Sequence, residues 1–207
     1  MPAELVVRQA GFAPVKGMRH LALEAVRLDE HGAVGDRSHC LVDVGLARVL
    51  KTVQHPSLVS VVARTEGNVL SLTLPTGELH APRGGVVFGD PLTVIGTASL
   101  RELARRTGHD ALADQATRFR STVVVETDTP YVEDTWAGRD VLMGEATIRI
   151  GGPVPRCAVV DHHPETGAKD VRLLKALVRE RPTNRAGEPM LGVYARCTRS
   201  GQVTVSR

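Results

Sequence analysis

Two short apolar runs joined by turn residues make up the stretch Leu58-Val-Ser-Val-Val-Ala-Arg-Thr-Glu-Gly-Asn-Val-Leu-Ser-Leu-Thr-Leu-Pro-Thr-Gly77. The runs Leu58–Thr65 and Asn68–Thr73 are rich in Val, Leu and Thr, which favour strands. Thr65-Glu66-Gly67-Asn68 and Leu74-Pro75-Thr76-Gly77 have the composition of hairpin turns. The stretch therefore predicts two short strands bounded by tight turns.

The same pattern recurs along most of the chain. Many short strands at this spacing are typical of a barrel or a sandwich. We therefore predict a mainly β fold, organised as a single domain over residues 1–207. The other predicted strands are Leu5–Ala10, Ala22–Leu28, His39–Val44, Val86–Val94, Thr122–Glu126, Glu145–Ile150, Ala158–Asp161, Val193–Thr198 and Gln202–Val205.

Two segments interrupt the strand pattern and are predicted to be short helices. Ser99-Leu100-Arg101-Glu102 has the form of a capping box, and Gly108 can end the helix that it begins. The second helix is predicted from about Asp170 to Arg181, with Asp170 as its N-cap and Pro182 as its stop.

The composition favours a cytoplasmic protein with a small-molecule ligand. No apolar run approaches the ~20 residues that cross a bilayer, and the first residues lack the pattern of a signal peptide. Three cysteines without CxxC spacing fit a reducing compartment. The net charge of +3 and the 3% aromatic content give no dense basic helix and little for base stacking. We expect no membrane and no nucleic-acid partner, and a ligand with a few phosphates matches the scattered arginines best.

A single thiol beside an arginine ends the run Gly151-Gly152-Pro153-Val154-Pro155-Arg156-Cys157. The thiolate is the nucleophile and soft metal ligand among side chains, and a neighbouring cation favours that form. Cys40 and Cys197 lie in segments that favour strands, so only Cys157 is expected on an irregular backbone. We predict Cys157 as the functional thiol; the alternative is a small buried hydrophobe.

Two turns present cations near glycines. Pro14-Val15-Lys16-Gly17-Met18-Arg19 offers Lys16 and Arg19 beside a glycine that permits close backbone approach, which suits an anion site. In Gly35-Asp36-Arg37 the carboxylate can orient the guanidinium by a charge-assisted pair. The alternatives are a solvated basic turn and a surface salt bridge that contributes at most about 1 kcal/mol.

Arg118-Phe119-Arg120 precedes an apolar strand. On an extended segment, residues two apart point to the same side, so the two arginines are predicted to clamp one anion while Phe119 enters the core. A charge pair on an edge strand is the alternative. The nearby His162-His163 pair favours a turn over a dedicated zinc or iron site, because adjacent histidines on a strand or turn tend to point apart.

Taken in order, these segments resemble the MOSC domain, the β-barrel module named after the C-terminal part of molybdenum cofactor sulfurase. The match spans nearly the whole chain. It rests on Pro14-Val15-Lys16-Gly17, Gly35-Asp36-Arg37 with Val42-Asp43, Ala98-Ser99-Leu100, Arg118-Phe119-Arg120, Glu133-Asp134-Thr135-Trp136-Ala137-Gly138, Pro155-Arg156-Cys157 and the turn from Asp161 to Gly167.

The resemblance implies a closed or nearly closed β-barrel with a few short helices and a basic pocket for the pyranopterin molybdenum cofactor. Family members include the mitochondrial amidoxime-reducing component and bacterial proteins that reduce N-hydroxylated compounds. By this resemblance, Cys157 would be the catalytic residue and ligate molybdenum. The residues that would bind the cofactor are Lys16, Arg19, Asp36, Arg37, Arg118, Arg120 and Arg156. Pyridoxal phosphate binding is a further expectation at the level of the family.

Two functional hypotheses follow from the resemblance. The first is a molybdenum-cofactor oxidoreductase that reduces N–O bonds of a small-molecule substrate; it would need an external reductase, because the chain carries no flavin or iron–sulfur motif. The second is a carrier module in which Cys157 holds sulfur as a persulfide or the pocket stores the cofactor. A third, weaker hypothesis is a barrel that binds another phosphorylated ligand.

Overall fold

The computed structural model describes residues 3–43, 45–46, 48–66, 69–77, 79–80, 92–113 and 115–206. About half of these residues form strands and short 3₁₀ turns. The helices are α1 (Thr97–Thr107) and α2 (Leu173–Glu180). The strands are β1 (Ala3–Glu4), β2 (Val7–Phe12), β3 (Leu21–Leu23), β4 (Ala25–Asp29), β5 (Gly32–Ala33), β6 (Val42–Asp43), β7 (Arg48–Val49), β8 (Val62–Glu66), β9 (Val69–Thr73), β10 (Leu79–His80), β11 (Leu92–Gly96), β12 (Val123–Val125), β13 (Asp140–Met143), β14 (Ala146–Pro155), β15 (Met190–Arg199) and β16 (Gly201–Thr204).

One eight-stranded sheet organises the fold, in the order β1-β13-β14-β15-β11-β12-β2-β3. Smaller sheets are formed by β10-β9-β8, by β16-β4-β5 and by β6-β7. The predicted mainly β fold is confirmed. Among the described residues, β1 and β3 do not pair with each other, so the large sheet stays open at its two edges.

The central strands are buried on both faces. In β12 the three valines are all buried, and they alternate between two hydrophobic clusters: Val123 and Val125 face one, Val124 the other. Val94 and Ile95 of β11 divide in the same way. Because successive strand side chains point to opposite faces, such a strand needs apolar residues at every position. One cluster lies against β4 and β16, and the other packs under α1 and α2.

The hairpin expected around residues 58–77 is present, but its first strand begins at Val62, later than predicted. Strands β8 and β9 pair from Val62 opposite Thr73 to Glu66 opposite Val69. The first residues of the predicted strand instead form the 3₁₀ turn Pro56–Ser60, which has proline at its start. The predicted turn residues Gly67 and Asn68 lie outside the described residues, as do Val44 and residues 86–91 of two other predicted strands.

One strand prediction is wrong, and one strand of more than two residues was missed. Ala158–Asp161 forms a 3₁₀ turn, because the Cys157 carbonyl accepts the Val160 N–H and the Asp161 carboxylate accepts the Leu174 N–H at 2.7 Å. These contacts curl the backbone toward the start of α2. The missed strand, β13, pairs antiparallel with β14 and forms the short hairpin that contains Gly144.

The helix positions were predicted well, but their N-terminal caps were not. Helix α1 begins at Thr97, before Ser99, so the predicted capping box is wrong. Asp170 does not cap α2 either, since Arg172 occupies that position and the Asp170 carboxylate is bound elsewhere. The predicted stop of α1 is confirmed, with Gly108 in the left-handed conformation at φ 67°. Within the described residues, no helix combines the length and the apolar character needed to cross a membrane.

Ser99 binds a buried carboxylate in place of capping its helix. Its hydroxyl donates to Glu133 at 2.8 Å and accepts the Tyr131 N–H at 2.7 Å. The second Glu133 oxygen accepts the Gly96 N–H at 3.1 Å, and Glu133 itself has 0% of its surface exposed. The Glu133 side chain therefore fixes the 3₁₀ turn Val132–Trp136 to the junction of β11 and α1.

We expect Glu133→Ala to lower the free energy of unfolding by about 2–3 kcal/mol, because two buried donors would lose their acceptor. Glu133→Gln should cost less, since its amide oxygen can still accept one of them. Urea denaturation measures both. Glu30→Ala, at a side chain that is 84% exposed, is the control and should change stability by no more than about 0.5 kcal/mol. Equal stability of the Glu133→Ala variant and wild type would contradict this account.

Candidate functional site

Cys157 carries the accessible thiol of this chain. It follows the end of β14 and precedes the 3₁₀ turn Ala158–Asp161, with its side chain exposed. The pairing of β14 with β15 shifts register twice between Ile150 and Pro155, so the strand is irregular where it approaches the thiol. Cys197 is buried in β15 and Cys40 is half-buried. Cys157 lies on irregular backbone as predicted, whereas Cys40, which was predicted in a strand, lies just before β6 and outside any strand.

A group of cations, which we call the basic cluster, comes close to this thiol through Arg120. It consists of Lys16, Arg37, Lys51 and Arg120. Burial lowers the pKa of Lys16, and Arg37 and Lys51 lower it further while Cys40 acts in the opposite direction. Burial and Arg37 lower the pKa of Arg120 to about 10, against the opposing effects of Asp36 and Cys157. The turns after β2 and β5 and the segment before β12 thus bring like charges together.

The predicted Asp36–Arg37 pair is present. The Arg37 Nε donates to the Asp36 Oδ2 at 2.8 Å, and its Nη2 lies at the same distance from that oxygen. The other Asp36 oxygen accepts the Ala13 N–H at 3.1 Å. Asp36 therefore ties two turns together and orients Arg37 toward the cluster, which makes it a positioning residue.

Two cluster arginines occupy a left-handed backbone conformation. Arg37 has φ 46° and Arg120 has φ 53°, whereas this region favours glycine. Such backbone costs about 1–3 kcal/mol and is found mainly at functional sites. Among the described residues, the Arg120 guanidinium has no hydrogen-bond or ion-pair partner. The described part of the fold thus holds a strained arginine whose guanidinium makes no ion pair within it.

Arg118 points the other way, so the predicted clamp by Arg118 and Arg120 is wrong in its geometry. Residues Ala116–Phe119 form a 3₁₀ turn and Arg120 ends it, so the alternation of an extended strand does not apply. The buried Arg118 guanidinium binds the Asp170 carboxylate at 2.8 and 2.9 Å and donates to the His162 carbonyl at 2.8 Å. Phe119 enters the core as predicted.

Arg156 is also buried, and it anchors the backbone next to the thiol. Its Nε donates to the Leu191 carbonyl at 2.8 Å and its Nη1 to the Phe119 carbonyl at 2.7 Å. Burial lowers the pKa of this guanidinium to about 10, while Tyr194 and Cys157 act in the opposite direction. We call Arg118 and Arg156 the arginine brace, because each reaches from one of two segments to the other. The Cys157 loop is held between them.

Arg19 also donates its hydrogen bonds to backbone carbonyls of the protein. Its Nη2 donates to the Glu165 carbonyl at 2.6 Å, and weaker contacts at 3.4 Å reach the Val59 and Ser60 carbonyls. The predicted turn after Pro164 is present, closed by the Gly167 N–H on the His163 carbonyl. Arg19 therefore joins this turn to the segment before β8, and it does not belong to the basic cluster.

His20 is a site residue that the sequence did not reveal. Its imidazole is half-buried, and its Nδ1 is fully buried without a hydrogen-bond partner among the described residues. Burial, Arg120 and Arg37 together lower the pKa of His20 to about 3, so the ring is neutral beside the cluster. Nothing in the local sequence signals this, because the two arginines come from distant segments.

Within the described residues, no group of three or more His, Cys, Asp or Glu side chains has a metal-binding arrangement. His162 directs its Nδ1 at the Ala158 carbonyl at 3.0 Å, and the His163 Nδ1 faces the backbone N–H groups of Glu165 and Thr166. A cavity of about 790 Å³ lies elsewhere, beside α2, and none of the predicted site residues lines it.

Two family models match this chain. The model described as MOSC domain matches residues 79–206, and the model described as MOSC N-terminal beta barrel domain matches residues 6–90. Together they cover the strands that carry the basic cluster and the loop that carries Cys157.

Among curated proteins, the chain is similar to stretches of two molybdenum cofactor sulfurases. With that of Anopheles gambiae it shares 35% identity over 85 residues, which is 41% of this chain and 10% of that protein. With that of Caenorhabditis briggsae it shares 33% identity over 110 residues, or 53% of this chain and 15% of that protein. The aligned stretches are thus a small part of both relatives.

Among solved structures, the YuaD protein from Bacillus subtilis superimposes with a TM-score of 0.53 at 13% identity. The match covers 97% of this chain and 91% of that one. At this level of identity the likeness shows a shared fold.

The two arginines of the Arg118-Phe119-Arg120 segment should respond in opposite ways to substitution. Arg118→Ala would leave Asp170 and two carbonyls without their buried partner and should cost about 3 kcal/mol of unfolding free energy. Arg120→Gly should raise that free energy by about 1 kcal/mol, because it relieves the left-handed backbone and removes an unpaired charge. Chemical denaturation of both variants checks this. A loss of stability in both would refute the division of roles.

His20 should make stability depend on pH. Its pKa is lower in the folded protein than the ordinary value of 6.5, so the unfolded chain binds the proton first. The contribution of the neutral His20 ring to the free energy of unfolding is complete above pH 6.5. It is lost as the pH falls toward 3, with a slope of up to about 1.4 kcal/mol per pH unit. We expect His20→Asn to flatten the stability profile measured by urea denaturation between about pH 7 and 5. His31→Asn, at an 86% exposed ring, is the control; identical profiles for His20→Asn and wild type would contradict the assignment.

Proposed function

We propose that the basic cluster and Cys157 together bind the pyranopterin molybdenum cofactor, since this chain belongs to the MOSC domain family. The observation that carries this proposal is the position of an exposed thiol close enough to the unpaired Arg120 guanidinium for the two to interact electrostatically. The relatives' name, molybdenum cofactor sulfurase, supports it.

The donor set fits such a group. Molybdenum prefers a soft thiolate ligand, and Cys157 is exposed at the edge of the cluster. The anionic phosphate of the cofactor suits the guanidinium forks of Arg37 and Arg120 and the Lys16 ammonium. A doubly charged anion would offset the burial and the repulsion by Arg37 that lower the pKa of Lys16 and of Arg120. Asp36 would hold Arg37 in place, and the arginine brace would hold the thiol.

When bound, the cofactor supplies a metal centre for oxygen-atom transfer. The finer proposal is that the protein is an oxidoreductase that reduces N-hydroxylated or similar N–O substrates, with electrons from an external reductase. In this scheme Cys157 anchors the metal while the cluster neutralises and orients the cofactor. The exposure of Cys157 leaves room for a small substrate beside it. A cytoplasmic location, which the three free thiols favour, belongs to the same proposal.

The second candidate is a carrier. An exposed thiol flanked by cations also favours a persulfide, in which Cys157 holds a sulfane sulfur received from a separate donor. The sulfurase relatives favour this candidate, although the chain spans only 10% and 15% of their lengths. Pyridoxal phosphate is the weaker proposal, because its binding would leave the Cys157 thiol without a role.

Metal analysis of protein purified from a host that makes the cofactor tests these candidates. We expect close to one molybdenum per wild-type chain and a loss of at least about tenfold in Cys157→Ala, since the soft ligand is removed. Cys40→Ala is the matched control and should retain the metal. Arg120→Ala should lower retention without loss of stability.

Absence of molybdenum from wild type, together with a cyanide-labile sulfur that disappears in Cys157→Ala, would favour the carrier over the oxidoreductase. If Cys157→Ala changes neither the molybdenum nor the labile sulfur, both candidates fail. If wild type does bind molybdenum, the finer reductase proposal requires that the molybdenum-loaded protein reduce a hydroxylamine or amidoxime when a chemical electron donor is added. A loaded protein that is inactive with such substrates would contradict it.

A further inference from the structure

A second basic surface lies away from Cys157, along helix α2. A recess of about 790 Å³ is lined by Lys169, Arg172, Lys175 and His109, together with the carboxylates Asp161 and Asp170. A smaller recess of about 310 Å³ shares His109, Arg172 and Lys175 with the first and adds Arg179. The first volume is within the range of small-molecule pockets, about 300–1,000 Å³. We call Arg172, Lys175 and Arg179 the α2 basic face.

The carboxylates near this face are already paired with other groups. Asp170 is bound by the buried Arg118, and Asp161 accepts the Leu174 N–H and faces the Lys169 ammonium at 3.5 Å. Glu180 pairs with Arg106 from α1. These contacts neutralise the acidic groups that would otherwise offset the cations.

The three side chains of the α2 basic face have no hydrogen-bond or ion-pair partner among the described residues. All three are exposed. Their spacing of three and four residues places them on one side of the helix, where like charges disfavour the helical conformation. An exposed helix is usually stabilised by opposite charges at this spacing. Here an anion from outside the chain would supply the negative charge.

The length of the face indicates the size of that anion. Seven residues of helix extend about 10 Å, which is longer than one phosphate group can bridge. Arginine forks and a lysine ammonium are the side chains that recognise phosphate oxygens. We propose that the α2 basic face and its two recesses bind a ligand with two or more linked phosphates, such as a nucleoside diphosphate. This site is separate from the basic cluster and does not depend on the cofactor proposal.

Titration calorimetry with ADP, pyrophosphate and adenosine at physiological salt tests the proposal. We expect ADP and pyrophosphate to bind, adenosine not to bind, and Arg172→Ala/Lys175→Ala/Arg179→Ala to weaken binding by at least about tenfold. The matched control, Arg27→Ala/Arg64→Ala/Arg196→Ala, removes the same charge from exposed strand positions and should bind like wild type. Circular dichroism verifies that each variant is folded.

Three results would overturn the site. One is the absence of binding by the wild type, and another is equal weakening in the control variant, which would reflect net charge alone. The third is binding that survives in the α2 variant but is lost in Arg37→Ala/Arg120→Ala, which would place the phosphates at the basic cluster. Tighter binding of ADP than of pyrophosphate would support the site and assign a contribution to the nucleoside.

Discussion

The position of Cys157 depends on two buried guanidinium groups that cross between the same two segments. Arg118 extends from the turn before β12 to the residues after Cys157, and Arg156 extends from the end of β14 back to the Phe119 carbonyl. Charged groups are costly to bury unless their hydrogen bonds are satisfied, and most of the donors here bind carbonyl or carboxylate oxygens. The brace therefore fixes an exposed loop through buried interactions.

This arrangement separates residues that hold the site from residues that face a ligand. Arg118, Arg156, Asp36 and Arg19 direct their polar atoms at the protein. Arg37, Arg120 and Lys16 remain close together, and burial with the added repulsion by Arg37 lowers the pKa of Lys16 and of Arg120. The left-handed backbone at Arg37 and Arg120 adds strain to that repulsion.

Much of the fold follows from local sequence. The valine-rich run of β12, the hairpin of β8 and β9 and the glycine stop of α1 were predictable, because residue type and turn chemistry act over a few neighbours. The errors arose where a distant partner overrode local preference. The Ser99 hydroxyl binds Glu133 instead of capping α1, and the Asp170 carboxylate binds Arg118 instead of capping α2. Ala158–Asp161 forms a turn because Asp161 accepts the Leu174 N–H at the start of α2.

The amino-acid sequence alone was enough to establish the mainly β fold, the family to which the chain belongs and the irregular backbone at Cys157, because these depend on the order of short motifs and on glycine and proline near the thiol. Only tertiary contacts decided which cations lie near that thiol. The same arginine-rich motif places one side chain in the interior and one in the cluster, and His20 joins the site from an ordinary turn. The direction of each side chain depends on partners far away along the chain, such as the His162 carbonyl for Arg118, which no local pattern specifies.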